Sequence, residues 1–308
     1  MIVRDRPSAL GLFFVMRGSI LPRILHVLLF NIALATVVTV THGMLFHFKV
    51  VLTAIPFTLI GLPLAIFLGF RNTAAYERYW EARKLWGELV VRVQNLNRQC
   101  LHLIAAPAAG STDLRPRMLR RAAAYCHALR LHLRGDKDTA LVQALLSAPE
   151  WSGLARSANV CAALMLNMGA DLSAVRSAGL VDAQAVAQID NTLSAMVGAA
   201  ASCERIRATP VPFSYTLLLH RTAYAYCFLL PFGLVDTLGF MTPLVVAIVA
   251  YTFFGLDALG DEIEEPFGTE PNDLPLDAIC RGIEIGVREA LGEEELPPPL
   301  LPVDYCLL

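Results

Sequence analysis

Leu62, Ile66 and Phe70 stand at i, i+4 and i+8 in the stretch VVLTAIPFTLIGLPLAIFLGF, residues 50–70. On a helix they run along one side, drifting about 40° per step and covering about 12 Å of axis. Pro63 lies among them, between Gly61 and Gly69. It removes one backbone donor and frees the carbonyl of Leu59, so a helix there is expected to bend or loosen. In a membrane such a break is tolerated where it faces protein or a water-filled path. The chemistry on offer is a hydrophobic constriction that gates water and ions by dewetting. A lipid-facing or packing stripe has the same spacing, so both readings stand at this point.

Other stretches offer less. Arg71, Glu77, Arg78, Glu81, Arg83 and Lys84 follow immediately, with Tyr79 and Trp80 suited to a membrane interface. Glu77 and Glu81 repel mildly at i,i+4 unless arginines pair with them. Eight carboxylates fall between Asp257 and Asp277, around the turn Pro266-Phe267-Gly268. Calcium takes about six to eight oxygen ligands, but the spacing is not that of an EF-hand, and an acidic helix followed by a turn reads equally well. His26, His220 and Arg221 fall inside apolar stretches and suit interhelical hydrogen bonds. No phosphate-binding glycine loop, HExxH or GxSxG is present. No catalytic residues, metal ligands or cofactor are therefore expected, and the chain is not read as an enzyme. The seven cysteines show no CxxC pair; their odd number excludes a complete intramolecular disulfide framework and points to reduced thiols.

The elements that must position these residues are apolar. The chain of 308 residues is 56% hydrophobic and 17% charged, against about 25% charge in ordinary soluble domains. The net charge of -2 gives no footprint for nucleic acid. A spanning helix needs about 20 apolar residues. Four stretches qualify: residues 24–40, 50–70, 212–235 and 240–256. Arg4, Arg6, Arg17 and Arg23 precede the first, and arginine is abundant between the second and third. The first-to-second loop offers Lys49 and the last turn no lysine or arginine. Positive charge gathers on the cytoplasmic side. A multi-pass protein of the cell membrane is expected, with both termini and the central segment cytoplasmic.

The central segment reads as helices. From Thr73 to Leu103 it holds no proline and one glycine, so the second span should continue as one long helix. Further helices are expected at 115–134, 137–146, 154–166 and 183–207, divided at Pro107/Gly110, Gly135/Asp136, Pro149/Gly153 and Gly179. No strand pattern stands out. The organisation is a cytosolic N-terminal segment (1–23), two spans with the constriction (24–70), a helical cytosolic domain (71–211), two further spans (212–257), a cytosolic acidic segment and helix (258–290), and a proline-rich tail (291–308) expected to be extended or disordered.

Three motifs together resemble the bestrophin family of ion channels, its compact prokaryotic members most closely. They are IPFTLIGLPLAIFLGFRNTAAYERYWEARKLWG (55–87), CERIRATPVPFSYTLLLHRT (203–222) and DEIEEPFGTEPNDLPL (261–276). The resemblance implies an all-α integral membrane protein: a homopentamer around one central pore, each subunit giving four transmembrane helices and a helical cytosolic domain. It places the pore neck at Leu62, Ile66 and Phe70 with the neck proline at Pro63, and a cytosolic aperture at Gln184, where several relatives carry an apolar residue. It implies conduction of monovalent ions, chloride or sodium and potassium, with membrane lipid as the surrounding partner. Animal members carry consecutive acidic residues after Pro-Phe-Gly; here Thr269, Glu270, Pro271, Asn272 and Asp273 stand there, which argues against calcium activation. The competing class is a membrane-anchored scaffold or receptor whose cytosolic helices bind a partner.

Overall fold

A computed structural model describes residues 1–4, 8–45, 48–49 and 53–308. In chain order its helices are α1 (Ala9–Phe13), α2 (Leu21–Val40), α3 (Ala54–Leu103), α4 (Arg115–Arg134), α5 (Ala140–Ala144), α6 (Ala148–Leu154), α7 (Val160–Ser177), α8 (Ala183–Ala208), α9 (Phe213–Leu238), α10 (Thr242–Glu264) and α11 (Leu276–Ala290). A short 3₁₀ turn, Gly239–Met241, joins α9 to α10. Among the described residues the strands are one antiparallel pair of two residues each, β1 (Met44–Leu45) and β2 (Phe48–Lys49), and the regular structure is otherwise helical. Val50, at the start of the second expected span, lies outside the described residues.

The chain divides into two compact units. The apolar unit comprises Asp5–Tyr79 and Pro210–Pro266; the other comprises Met1–Arg4, Trp80–Thr209 and Phe267–Leu308. Helix α3 contributes to both. Among the described residues, three helical stretches are long and apolar enough to cross a membrane: Leu21–Val40, Ile55–Leu103 and Phe213–Glu264. The last contains both α9 and α10, which reverse at Gly239, where φ is 52°. A side chain with a Cβ is strained at that φ, and glycine is not. Only 22–28% of the apolar windows is buried within the chain. Leu29, Phe30, Val37 and Leu59 are each more than half exposed, more apolar surface than water tolerates on a folded chain.

In the apolar unit Ile24 and Leu28 of α2, Leu64 and Leu68 of α3, Ala223 and Cys227 of α9, and Phe254 of α10 form one buried cluster. Two close approaches set the spacing. A Cβ on Gly233 would fall 2.2 Å from Phe57 Cε2, and one on Gly61 would fall 2.8 Å from the Tyr226 hydroxyl. Glycine at both positions makes room for an aromatic ring of the facing helix, Phe57 of α3 on Gly233 and Tyr226 of α9 on Gly61.

In the second unit α4 is the central helix, buried from Met118 to Leu133 except at Arg120 and His132. It packs on α7, α8 and α11. Arg117 and Arg121 both reach Asp171 of α7, and Arg121 also reaches Glu150 of α6. Arg134 pairs with Asp277 of α11 at 2.7 Å, and Arg130 reaches the same carboxylate. All seven cysteines are free thiols, six of them buried.

The observed helices depart from expectation at two places. Residues 137–146 form only the five-residue α5, and the helix expected at 154–166 is instead two, α6 and α7. Pro149 does not break a helix; it occupies the first turn of α6, where its missing N–H is not needed. Asn159 starts α7, its side chain accepting from Ala162 N–H at 3.0 Å. The tail is extended as expected, but it is held in place. Val3 N–H donates to Tyr305 O at 2.8 Å, Ala278 N–H to Leu308 O at 2.8 Å, and Arg4 stacks 4.9 Å from the Tyr305 ring.

Candidate functional site

Helix α3 is continuous over 50 residues, with Pro63 inside it. Its two faces differ. Leu64 and Leu68 are buried at 2% and 0% exposure, whereas Leu62, Ile66 and Phe70 are exposed at 67%, 47% and 64%. The three expected neck residues thus share an unpartnered apolar face, with Pro63 exposed beside them. Past Phe70 the same face turns polar through Thr73 and Glu77, both exposed. The helix continues through Pro63 because α9 holds it on either side, Tyr226 against Gly61 and the Tyr215 hydroxyl donating to Phe67 O at 3.2 Å.

Immediately after Phe70 the site changes character. The Arg71 side chain is fully buried. Its Nη1 donates to Asp257 Oδ1 at 2.8 Å and to Asp257 O at 3.3 Å; its Nη2 reaches the Asp261 carboxylate and lies 3.9 Å from Glu264 Oε2. The second oxygen of Asp257 sits 2.6 Å from His220 Nδ1. Glu264 also caps the entry to α9, its Oε1 accepting from Val211 N–H at 2.9 Å. Asn72 donates to Leu256 O at 3.0 Å. A Cβ on Gly260 would fall 2.5 Å from Asn72 Oδ1, so α10 meets α3 closely here. Asp257, Asp261 and Glu264 recur at i, i+4 and i+7, which puts all three on one face of α10.

Reading the acidic segment as a possible ion cage missed this partner. The available signal was that helical spacing, together with a lone arginine ending an apolar run. Two further carboxylates of the segment are also engaged internally. Asp273 Oδ2 accepts from Glu270 N–H at 2.8 Å, and Asp277 is held by Arg130 and Arg134. Among the described residues no group of three or more His, Cys, Asp or Glu side chains is disposed to hold a metal.

Gln184 stands in the first turn of α8, exposed, two residues after the cap Asp182, whose side chain accepts from Ala185 N–H at 2.8 Å. Gln188, one turn on, is also exposed, and its carbonyl accepts from Gln99 Nε2 at 3.4 Å. Glu81 pairs with Arg205 at 2.6 Å, which relieves its repulsion with Glu77.

The model of the family described as bacterial/fungal bestrophin protein matches residues 1–289. The chain belongs to the bestrophin family. A voltage-dependent anion channel-forming protein of Mesorhizobium japonicum is 47% identical over 305 residues, covering 99% of this chain and 96% of the relative. One of Escherichia coli is 39% identical over 302 residues, covering 98% of each. The crystal structure of a bacterial bestrophin homolog from Klebsiella pneumoniae superposes with a TM-score of 0.83 at 36% identity, covering 88% of this chain and all of that one. This bestrophin is a helical membrane protein of an ion-channel family, not an enzyme.

Proposed function

We propose that the chain is one subunit of a homopentameric channel for monovalent ions, anions above all, in the cell membrane. Each subunit crosses four times, through α2, the first half of α3, α9 and α10. Both termini and the helical domain lie in the cytoplasm, as the arginine distribution favours. Leu62, Ile66 and Phe70 form the neck, with Pro63 loosening the backbone beside it, and Gln184 forms a cytosolic aperture.

The observation that carries this reading is the exposed apolar line Leu62–Ile66–Phe70 opposite a fully buried one on the same helix. A closed ring of such faces makes a dry constriction that opens by widening and wetting. The anion preference rests on the relatives, which are named anion channel-forming proteins; the apolar neck itself carries no charge.

The test is electrical. Purified protein in planar bilayers under a potassium chloride gradient should reverse near the chloride potential. Replacing Leu62, Ile66 and Phe70 together by alanine should raise conductance several-fold while the oligomer stays intact on cross-linking. Unchanged conductance with an intact ring removes the neck from these residues. A chain that stays monomeric and carries no current belongs to the scaffold class instead.

A further inference from the structure

The exposed face of α3 does not end at the neck. Glu77 follows Phe70 by about two turns of helix, roughly 10 Å of axis, and stands within about 20° of it, on the side toward Ile66. It is exposed. Thr73, between them on this face, is neutral, and its hydroxyl donates back to Gly69 O at 3.0 Å. Glu77 is therefore the first charge that this face presents past the neck.

The nearby cations are engaged elsewhere. Arg71 is buried and faces Asp257, Asp261 and Glu264. Arg78 turns toward α10, its Nε donating to Glu264 O at 3.2 Å. Arg205 pairs with Glu81 at 2.6 Å. The Glu77 side chain has no hydrogen bond or ion pair among the described residues. The next cation in this direction along α3 is Lys84, about 21 Å of axis from Phe70, its Nζ 5.7 Å from the Trp80 ring centroid. The Debye length at physiological salt is about 8 Å, so Glu77 outweighs Lys84 at the neck. On a surface facing only water a lone glutamate needs no explanation. On the face that carries the neck, it meets every ion that passes.

We propose that Glu77 sets the charge selectivity of the pore. The inference rests on the reading of α3 as the pore-lining helix. In a five-fold ring, its carboxylates draw cations into the cytosolic vestibule and repel anions, which holds the anion preference down. Low-dielectric walls focus such a field, and rings of acidic side chains favour cations in this way.

The experiment measures reversal potentials of the purified full-length oligomer in planar bilayers, under potassium chloride gradients at low and at high salt. Glu77→Gln should raise the chloride-to-potassium permeability ratio at least about threefold at low salt, and less at high salt, where screening weakens the field. Glu77→Asp should keep the ratio of the parent chain. Glu77→Cys allows the charge to be changed after folding. A negatively charged methanethiosulfonate added from the cytosolic side should restore the parent ratio, and a positively charged one should raise the ratio further. The parent chain, with six of its seven cysteines buried, is the control. An unchanged ratio in Glu77→Gln, in a channel whose conductance rises when Leu62, Ile66 and Phe70 become alanine, overturns the proposal and leaves the neck standing. No response to either set removes the pore face from α3, and Glu77 with it. A shift in Glu77→Gln that the two reagents do not move in opposite directions marks a change of structure, not of charge, and also overturns it.

Discussion

Arg71 is a full positive charge with no solvent exposure, and its environment explains how it is tolerated. Asp257 is 3% exposed and supplies two acceptors; Asp261 supplies another. Removing one member of a buried ion pair strands the other and costs about 3–5 kcal/mol, whereas replacing both by apolar groups of similar volume is often nearly neutral. Arg71→Met should therefore lower the thermal midpoint sharply in detergent. Arg71→Met with Asp257→Leu should recover much of the loss, a coupling that a double-mutant cycle reads directly. Additive losses would mean the pair is not the unit that holds α3 to α10. The residue types were legible in the sequence; their meeting was not, because Arg71 and Asp257 are 186 positions apart. Leu62, Ile66 and Phe70 were legible because helical spacing is local, and their exposure follows from the burial of Leu64 and Leu68 on the opposite face.

Helix α11 offers a titration. Glu284 lies buried against α4, its Oε2 3.4 Å from His127 Nε2, with Arg288 at 2.9 Å from its other oxygen. The neighbouring His127 side chain holds its carboxyl below the ordinary value of 4.5; burial opposes this, and Arg288 and Arg281 assist it. A carboxylate depressed on folding stabilises the fold above its unfolded pKa, and that stability is lost as pH falls through the folded value. Acid unfolding of the helical unit, followed by circular dichroism, should therefore steepen below about pH 4.5, and Glu284→Gln should flatten that limb. The acidic stretch just before α11 gives a second expectation at this scale. Asp257, Asp261 and Glu264 face Arg71, Asp277 pairs with Arg130 and Arg134, and Asp273 accepts from the Glu270 N–H, so five of its carboxylates already have partners within the chain. Currents should persist in chelator, and a steep loss restored by micromolar calcium would contradict that assignment. Element boundaries were readable where capping is local: α4 begins and ends where expected, closed by Gly135 with φ 68°. The break at Asn159 was not, since an asparagine cap looks like a loop residue until its acceptor meets Ala162. The tail's order was hidden because it depends on Met1 and Val3, from the far end of the chain.

At the scale of the whole molecule, the arrangement of copies around a pore decides what an exposed residue does, and Gln184 is where that matters most. The sequence places it by resemblance in a stretch with few matching neighbours, and it sits exposed in the first turn of α8. An amide hydrogen-bonds to water and to partly dehydrated ions, whereas a ring of isoleucine repels both. If Gln184 lines the proposed aperture, the aperture is a filter by size and not a hydrophobic gate. Gln184→Ile should then reduce single-channel conductance, and Gln184→Glu should shift preference toward cations through a ring of like charges. Gln184→Ala should chiefly admit larger ions, read from permeability ratios for anions of increasing diameter. The same changes at Gln188 are the control for register. That residue is one turn further along α8, with its side chain also exposed and its carbonyl tied to Gln99. Effects confined to the Gln188 series move the aperture one turn along the helix. Effects in neither series put the second constriction on another element, since both positions would then face water without narrowing the path. An effect of Gln184→Glu on selectivity that fades as salt is raised identifies a vestibule charge acting at a distance, because screening weakens a wide field more than a contact within a narrow ring.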